Sequence, residues 1–433
     1  LVLEKTTFSP AAASGVRLRA AAFTAAVTAV AVPLGLAHDN AYARVDSEWY
    51  LLIAKGLGAE AIQPFTARQL DPLLARCISG IAHISLLHGF LILGLASLLI
   101  TAGITGWILC RSGATVLAIA AVAGLYFWPA LFGSFMLPDT LSAALLACFL
   151  FCLWRDSFAW AAVWLLPMFL ARESTILVLL CLVIAGWRRL RWPVWTTAAI
   201  ASLAGLGIVR SLSAHSLANR EHLNPLLYMA GKIPWNFFGN GLAMQPWSAA
   251  VSSSCRVPRY TATLPFHLHI AGSATVGLCG WNAAWQVESL LVALCSFGLL
   301  PLLAAFLALR HGRAFWTEDL FTRFCIVYGG LSFFIAPLLG HTVERLFLYS
   351  WPVFLLATPL AASRIFGLAR WKSAAGITVV VTHFVTAWLD YLVFWSWDQQ
   401  SWQRAWAMAA ALVLANIVAW TMLLRLEPKT TGL

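Results

Sequence analysis

Apolar runs of about 20 residues recur along this chain from Ala20 to Trp420. Each is long enough to cross about 30 Å of hydrocarbon as a helix that satisfies its own backbone hydrogen bonds. Of the 433 residues, 61% are hydrophobic and only 10% are charged, against roughly 25% charge in soluble domains. With a mean hydropathy of +0.81, a soluble fold is excluded. The pattern predicts an all-α, polytopic integral membrane protein in which a single transmembrane domain takes residues 1–433.

The runs place about twelve spans near residues 18–37, 85–110, 113–133, 140–154, 157–171, 174–187, 193–212, 286–309, 320–340, 346–363, 374–394 and 405–424. Arg17 and Arg19 before the first run superficially resemble a signal sequence. The length of the run and the many spans after it favour an uncleaved first helix. Two loops stand out: a first loop over residues 38–84, and a long one over 213–285.

The net charge of +11 would suggest nucleic acid in a soluble protein, but here it has another meaning. Arg17/Arg19, Arg111, Arg155, Arg188/Arg189/Arg191, Arg310/Arg313, Arg364/Arg370/Lys372 and Arg425/Lys429 fall on alternate loops. They share one side, and the positive-inside rule makes that side cytoplasmic. No nucleic-acid partner is implied, while membrane lipids are. Of the seventeen acidic residues, Glu4, Asp156, Glu318, Asp319 and Glu427 fall on the cytoplasmic side, and the others lie outside or at that interface.

Acid-base chemistry therefore belongs to the outer face. The inner loops are too short for a nucleotide-binding domain, and no P-loop or dinucleotide fingerprint occurs. An ATP-driven pump and an enzyme fed by cytosolic nucleotide sugars are both disfavoured, and no visible internal repeat supports a duplicated transporter. The cysteines form no CxxC pair and give no metal framework. Most read as buried thiols; Cys255 and Cys279, sharing the long loop, are a candidate disulfide. His267 and His269 lack a third ligand, so no metal site is expected.

The first loop carries the most information. Trp49, Leu52, Ile53 and Leu57 recur at helical spacing with Ser47, Glu48 and Lys55 between them, predicting an amphipathic helix at the headgroup level. Asp46 is expected at its N-terminal end, where a carboxylate caps free amides and meets the helix dipole. A second helix-like stretch follows, with Arg68 and Arg76 at the same interface. A carboxylate and guanidinium groups together suit activation of a hydroxyl and capture of a lipid phosphate.

These residues resemble a known family. Asp46-Ser-Glu-Trp-Tyr50-Leu-Leu-Ile53-Ala54-Lys55-Gly56, followed by Pro64-Phe65, Arg68, Leu70, Pro72 and Leu73-Leu74-Ala75, is similar to the first-loop pattern of the GT-C superfamily. These are polytopic glycosyltransferases that use polyprenyl-phosphate sugars, and the likeness is to their mannosyltransferase-like and aminoarabinose transferase-like branches. The resemblance implies a GT-C-like fold with interfacial helices in this loop, an extracytoplasmic site and Asp46 as catalytic base. Many members carry two adjacent acids; here Ser47 separates Asp46 from Glu48, and Asp39 at the end of the first span is the rival base.

Arg345, at the start of a late span in GHTVERLFLYSWPVFLLA, is the preferred ligand of the donor phosphate, because a guanidinium offers paired donors and keeps its charge. Arg172, Arg68 and Lys55 join it as phosphate candidates. Glu173, Asp139, His341, Tyr50 and Glu48 are candidates for substrate contact. Each has a plainer alternative: an Arg172–Glu173 pair fixing a helical hairpin, an Asp139 helix cap, a snorkelling Arg345, and headgroup binding for Lys55, Arg68 and Arg76.

The expected partners are a polyprenyl-phosphate sugar donor and a lipid, glycan or protein acceptor. No cofactor is called for, and a divalent metal has no ligand motif behind it. The expected setting is the bacterial cytoplasmic (inner) membrane, with the site facing the periplasm or exterior. Two rival functions remain: a lipid-linked saccharide transporter or flippase, and an O-antigen ligase-like or polymerase-like enzyme with a diphosphate donor.

Overall fold

A computed structural model describes residues 10–37, 41–61, 65–213, 233–234, 236–238, 244–248, 261–270, 274–282, 295–316, 319–339, 343–394 and 402–427. Asp39, Pro64, Cys255 and His341 lie outside them, as does most of the loop 213–285, and with them the expected rival base, the His341 contact and the Cys255–Cys279 disulfide.

The body is helical. In chain order it comprises α1 (Pro10–Ala37), α2 (Ala41–Ala54), α3 (Leu70–Ala82), α4 (Leu86–Arg111), α5 (Val116–Ala123), α6 (Phe127–Phe132), α7 (Pro138–Trp154), α8 (Phe158–Ala171), α9 (Thr175–Gly186) and α10 (Trp192–Ser213). Beyond the long loop come α11 (Leu300–Arg310), α12 (Gly312–Phe315), α13 (Leu320–Leu339), α14 (Val343–Phe347), α15 (Thr358–Ile365), α16 (Leu368–Trp371), α17 (Ala374–Phe394) and α18 (Trp402–Leu426). A 3₁₀ turn (Leu348–Ser350) and a π-helical segment (Pro352–Ala357) join α14 to α15.

Among the described residues, four helices are long and apolar enough to cross a membrane: Ser14–Ala37, Leu86–Arg111, Trp192–Leu212 and Ala409–Leu426. Shorter apolar helices occupy seven of the other expected positions. One departure from the all-α expectation lies in the long loop. There β1 (Met244–Ser248), β2 (Thr261–Ile270) and β3 (Ala274–Asn282) form an antiparallel sheet in the order β1-β3-β2, with Trp247 opposite Gly277 and Ile270 opposite Ala274.

The expected span over 113–133 is broken into α5 and α6. Gly124 ends α5, and the carbonyls freed there need donors, since hydrocarbon supplies none. Three ring N–H groups answer them. Trp128 Nε1 donates to the Val122 carbonyl at 2.9 Å and Trp388 Nε1 to that of Gly124 at 2.8 Å. His383 Nε2 meets the Ala121 carbonyl at 3.1 Å, while its Nδ1 accepts the Leu299 N–H, also at 3.1 Å. That pairing fixes the neutral Nε2–H tautomer.

The first loop also differs from expectation in detail. Ala41 to Val45 extend α2 backward, so Asp46 sits inside the helix and not at its N-terminal end. Its buried face is Ser47, Tyr50 and Ile53/Ala54, rotated from the Trp49/Leu52/Leu57 stripe; Leu57 is exposed. Trp49 instead stacks on Phe65, ring centroids 6.2 Å apart.

Helix α3 lies on the start of α4 through a backbone contact: a Cβ on Gly89 would come 2.4 Å from the Ala75 carbonyl oxygen. Gly89→Ala is therefore expected to lever α3 off α4 and cost about 1–3 kcal/mol. A lowered midpoint of thermal unfolding in detergent is the readout.

The basic ends gather at one pole. Arg310 pairs with Glu427 (2.8 Å), Arg370 donates to the Leu426 carbonyl (2.7 Å), and the Thr115 N–H meets Ser363 Oγ (3.1 Å). Trp154, at the far end of α7, donates to Ser112 there (3.1 Å). The start of α7 lies about 25 Å away along its axis, and it carries Asp139.

Candidate functional site

At that opposite pole, side chains from five segments close into one ionic network. Asp139, the second residue of α7 and 3% exposed, is its centre. Its Oδ1 is shared by Arg172 and Tyr349, the Tyr349 hydroxyl donating at 2.7 Å; its Oδ2 faces Arg345 Nη2 at 3.4 Å. Arg345 Nη1 reaches across to Asp46 Oδ2 at 2.8 Å. The Arg172 guanidinium also lies over the Tyr349 ring, 4.6 Å from its centroid.

A second knot adjoins the first. Arg68 grips Glu173 with two nitrogens, Nε donating at 2.9 Å, and gives Nη1 to the Tyr50 hydroxyl at 3.0 Å. Asp139 and Arg172 lie near enough for their charges to act on the Tyr50 phenol. Burial dominates there, pushing that phenol up to about 12 against the lowering pull of Arg68.

Local backbone explains how neighbours Arg172 and Glu173 reach different partners. Arg172 ends α8 in extended conformation (φ −162°, ψ 138°), and consecutive side chains of extended backbone point apart. The pairing Arg172–Glu173 expected for a helical hairpin is replaced by Arg172–Asp139 and Glu173–Arg68. Asp139 likewise does not cap α7: Leu137 holds the cap position without a side-chain bond, and Pro138 is preorganised for the first turn.

Charge is balanced within the network, three guanidinium groups against the carboxylates of Asp46, Asp139 and Glu173. The side chains of Arg68, Arg172 and Arg345 are only 7–9% exposed, whereas Glu173 keeps 46% and Asp46 29%. The outward surface of the site is thus carboxylate, with the cations beneath. Two buried donors, Arg172 Nε and Arg345 Nε, have no hydrogen-bond acceptor among the described residues, and Asp139 Oδ2 has no hydrogen-bond donor. Beside Arg172 lies a narrow cleft of about 280 Å³, open solvent included, lined by Arg172, Tyr349, Tyr328, Ser142 and Thr175.

No family model, curated protein or solved structure matches this chain.

Of the residues singled out in the sequence, Asp46, Tyr50, Arg68, Asp139, Arg172, Glu173 and Arg345 come together. Glu48 and Lys55 are exposed and stand outside the network, as does Arg76, which is exposed beside Gly56. Among the described residues, no group of three His, Cys, Asp or Glu is gathered for a metal ion.

Two residues escaped the sequence reading. Tyr349 follows Arg345 by four positions, a spacing that puts both on one helical face, and that signal was available. Asp71, in the first turn of α3, is 2% exposed with Oδ2 unpartnered among the described residues. An acid in a first helical turn ordinarily marks nothing more than a favourable dipole.

Glu173 and Asp71 titrate with opposite sign. Protein atoms crowd Glu173 closely even though nearly half of its side chain stays accessible. That desolvation raises its pKa, but the Arg68 charge and hydrogen bonds outweigh it and hold the carboxyl down at about 2. Burial, then the nearby Asp139 charge, pushes Asp71 well above its usual range.

The Glu173–Arg68 pair therefore stabilises fully above the ordinary value of 4.5 and is lost as pH falls toward about 2. Asp71 contributes fully below 3.8 and less as pH rises through its raised value. Across pH 4.5 to 2, thermal unfolding midpoints of the parent are expected to fall more steeply than those of Glu173→Gln. Equal slopes would remove the pair from the acid-side stability.

Proposed function

We propose that this chain is a polytopic membrane glycosyltransferase, with about twelve spans and a GT-C-like arrangement. It moves a sugar from a polyprenyl-phosphate donor to a lipid, glycan or protein acceptor at the extracytoplasmic face of the bacterial inner membrane. The observation that carries the reading is the pair of buried, unsatisfied guanidinium N–H groups, Arg172 Nε and Arg345 Nε, beside an accessible carboxylate, Asp46. Oriented cationic donors suit phosphate oxygens, and a carboxylate within the same cluster suits a hydroxyl proton.

The donor's phosphate takes Arg345 from Asp46. That single exchange does two things: it seats the leaving group on a guanidinium, and it releases the Asp46 carboxylate from Arg345 to meet the acceptor hydroxyl. The acceptor oxygen then attacks the anomeric carbon from the face opposite the phosphate. A C–O bond to the acceptor forms, the C–O bond to phosphate breaks, the bonding pair leaves on the phosphate oxygen, and Asp46 holds the acceptor's proton.

Arg345 and Arg172 stabilise the charge growing on the departing phosphate. Tyr349 and Tyr328 line the narrow cleft beside Arg172, with Ser142, Ser174 and Thr175 as its hydroxyl groups. Lys55 and the exposed face of α2 meet the lipid headgroups. No nucleotide enters, because the donor's own phosphate bond drives transfer.

Membranes containing the full chain, supplied with radiolabelled polyprenyl-phosphate sugar, are expected to move label from the organic phase into acceptor without added nucleotide. Label that only changes sides of a sealed vesicle, still on its polyprenyl chain, assigns the protein to lipid-linked sugar transport instead.

A further inference from the structure

Asp71 is buried in the first turn of α3, 2% exposed, and its Oδ2 meets no hydrogen-bond donor among the described residues. Helices α2, α4 and α8 pack on α3. The described charged and titratable groups that they bring are engaged elsewhere or face outward. On α2, Asp46 pairs with Arg345, the Tyr50 hydroxyl accepts from Arg68, and Glu48 is exposed. At the near end of α4, His88 is exposed and bonded to Ser85; Arg172, closing α8, is on Asp139. Around α3 itself, Arg68 is held by Glu173, while Arg76 and Cys77 are exposed.

The charge that does reach Asp71 is that of Asp139. Asp139 also keeps one buried oxygen, Oδ2, without a donor. Two neighbouring carboxyl groups thus each lack a hydrogen-bond partner at one oxygen. Burying a carboxylate without a cation is costly, and close carboxylates oppose each other's ionisation. Asp139 has the guanidinium groups of Arg172 and Arg345, so the proton belongs on Asp71. Burial and the Asp139 charge hold that carboxyl well above its usual range. A carboxyl kept neutral is a hydrogen-bond donor.

In the structure, Arg345 Nη2 faces Asp139 Oδ2 at 3.4 Å. A phosphate that draws Arg345 away leaves this oxygen in need of a donor. We propose, resting on the reading of Arg345 as the phosphate ligand, that Asp71 is a positioning residue that supplies it. As a neutral acid it hydrogen-bonds to Asp139 Oδ2 in the phosphate-bound state, and so holds Asp139 and Arg172 in place.

Infrared spectra of the purified full chain at neutral pH are expected to show a protonated-carboxyl stretch that Asp71→Asn removes. Farnesyl phosphate is the binding probe. Asp71→Val is expected to weaken it about 10- to 100-fold, the worth of a hydrogen bond to a charged acceptor. Asp71→Asn, whose amide N–H replaces the acid's proton, restores most of that affinity. In the parent, affinity falls as pH rises through the raised value of Asp71, and in Asp71→Asn that fall is absent. Arg345→Gln imposes the same vacancy without ligand, so Asp71→Val is expected to lower the thermal unfolding midpoint in that background and to leave it unchanged or raised in the parent.

An infrared stretch that survives Asp71→Asn overturns the proposal, as do additive effects of Asp71→Val and Arg345→Gln. Farnesyl phosphate bound equally by parent and Asp71→Val overturns it with the phosphate site intact. Farnesyl phosphate that the parent does not bind overturns the phosphate reading and this inference together. If Asp71→Val does not fold, the infrared band and the pH dependence of Asp71→Asn decide.

Discussion

Replacing Asp139 by alanine is expected to cost about 3–5 kcal/mol of stability, the range for removing one partner of a buried ion pair. Arg172 and Arg345, each 6–7% exposed, both lean on this one carboxylate; its loss leaves Arg172 without its acid and Arg345 with Asp46 alone. Tyr349 loses its acceptor in the same step. Asp139→Asn keeps the shape and removes the charge, so it separates packing from electrostatics. Thermal unfolding in detergent at several pH values reads both. A cost below about 1 kcal/mol, typical of an exposed pair, would show that these cations find other partners and that Asp139 is not the keystone of the network.

The second large effect is on turnover. Asp46→Asn is expected to lower the rate of sugar transfer by about 10²- to 10⁴-fold, the ordinary worth of a general base. Donor binding is retained, since Arg345 loses a competitor when the carboxylate becomes an amide. The opposite split is expected for Arg345→Gln, which weakens capture of the donor phosphate and slows its departure together. Asp46 is 29% exposed in side chain, so Asp46→Asn leaves stability nearly unchanged. A fall in turnover that merely tracks a fall in folded protein contradicts a base at this position.

The helical body was legible because continuous apolar runs need no tertiary information. Where expectation failed, the reason lies in partners distant along the chain. Nothing local to residues 113–133 announces a break there. The helix ends at Gly124 because Trp388 and His383, more than 250 positions later, supply donors for its freed carbonyls. The N-terminal extension of α2 was missed because a capping rule placed Asp46 at the helix start, whereas the residues before it continue the helix.

The site was legible to the extent that charge at an apolar boundary is costly. That reasoning picked out Arg172, Glu173, Arg345 and Asp139 from three separate stretches, and they meet. It did not foresee which acid meets which base: Arg172 turns from its neighbour to Asp139, and Glu173 to Arg68, through one extended residue. Asp71 stayed hidden, since burial of a carboxyl is a property of packing. Glu48 and Lys55 belong to the exposed side of the first-loop segment, outside the ionic network.

The central claim is that a glycosidic bond is exchanged at this network. The most direct measurement incubates the purified chain with a polyprenyl-phosphate sugar of known anomeric configuration and an acceptor, and follows the products by NMR. The account predicts a glycoside of inverted configuration, formed in equal amount with free polyprenyl phosphate and absent with Asp46→Asn. Intact donor throughout, or a product with retained configuration, contradicts it.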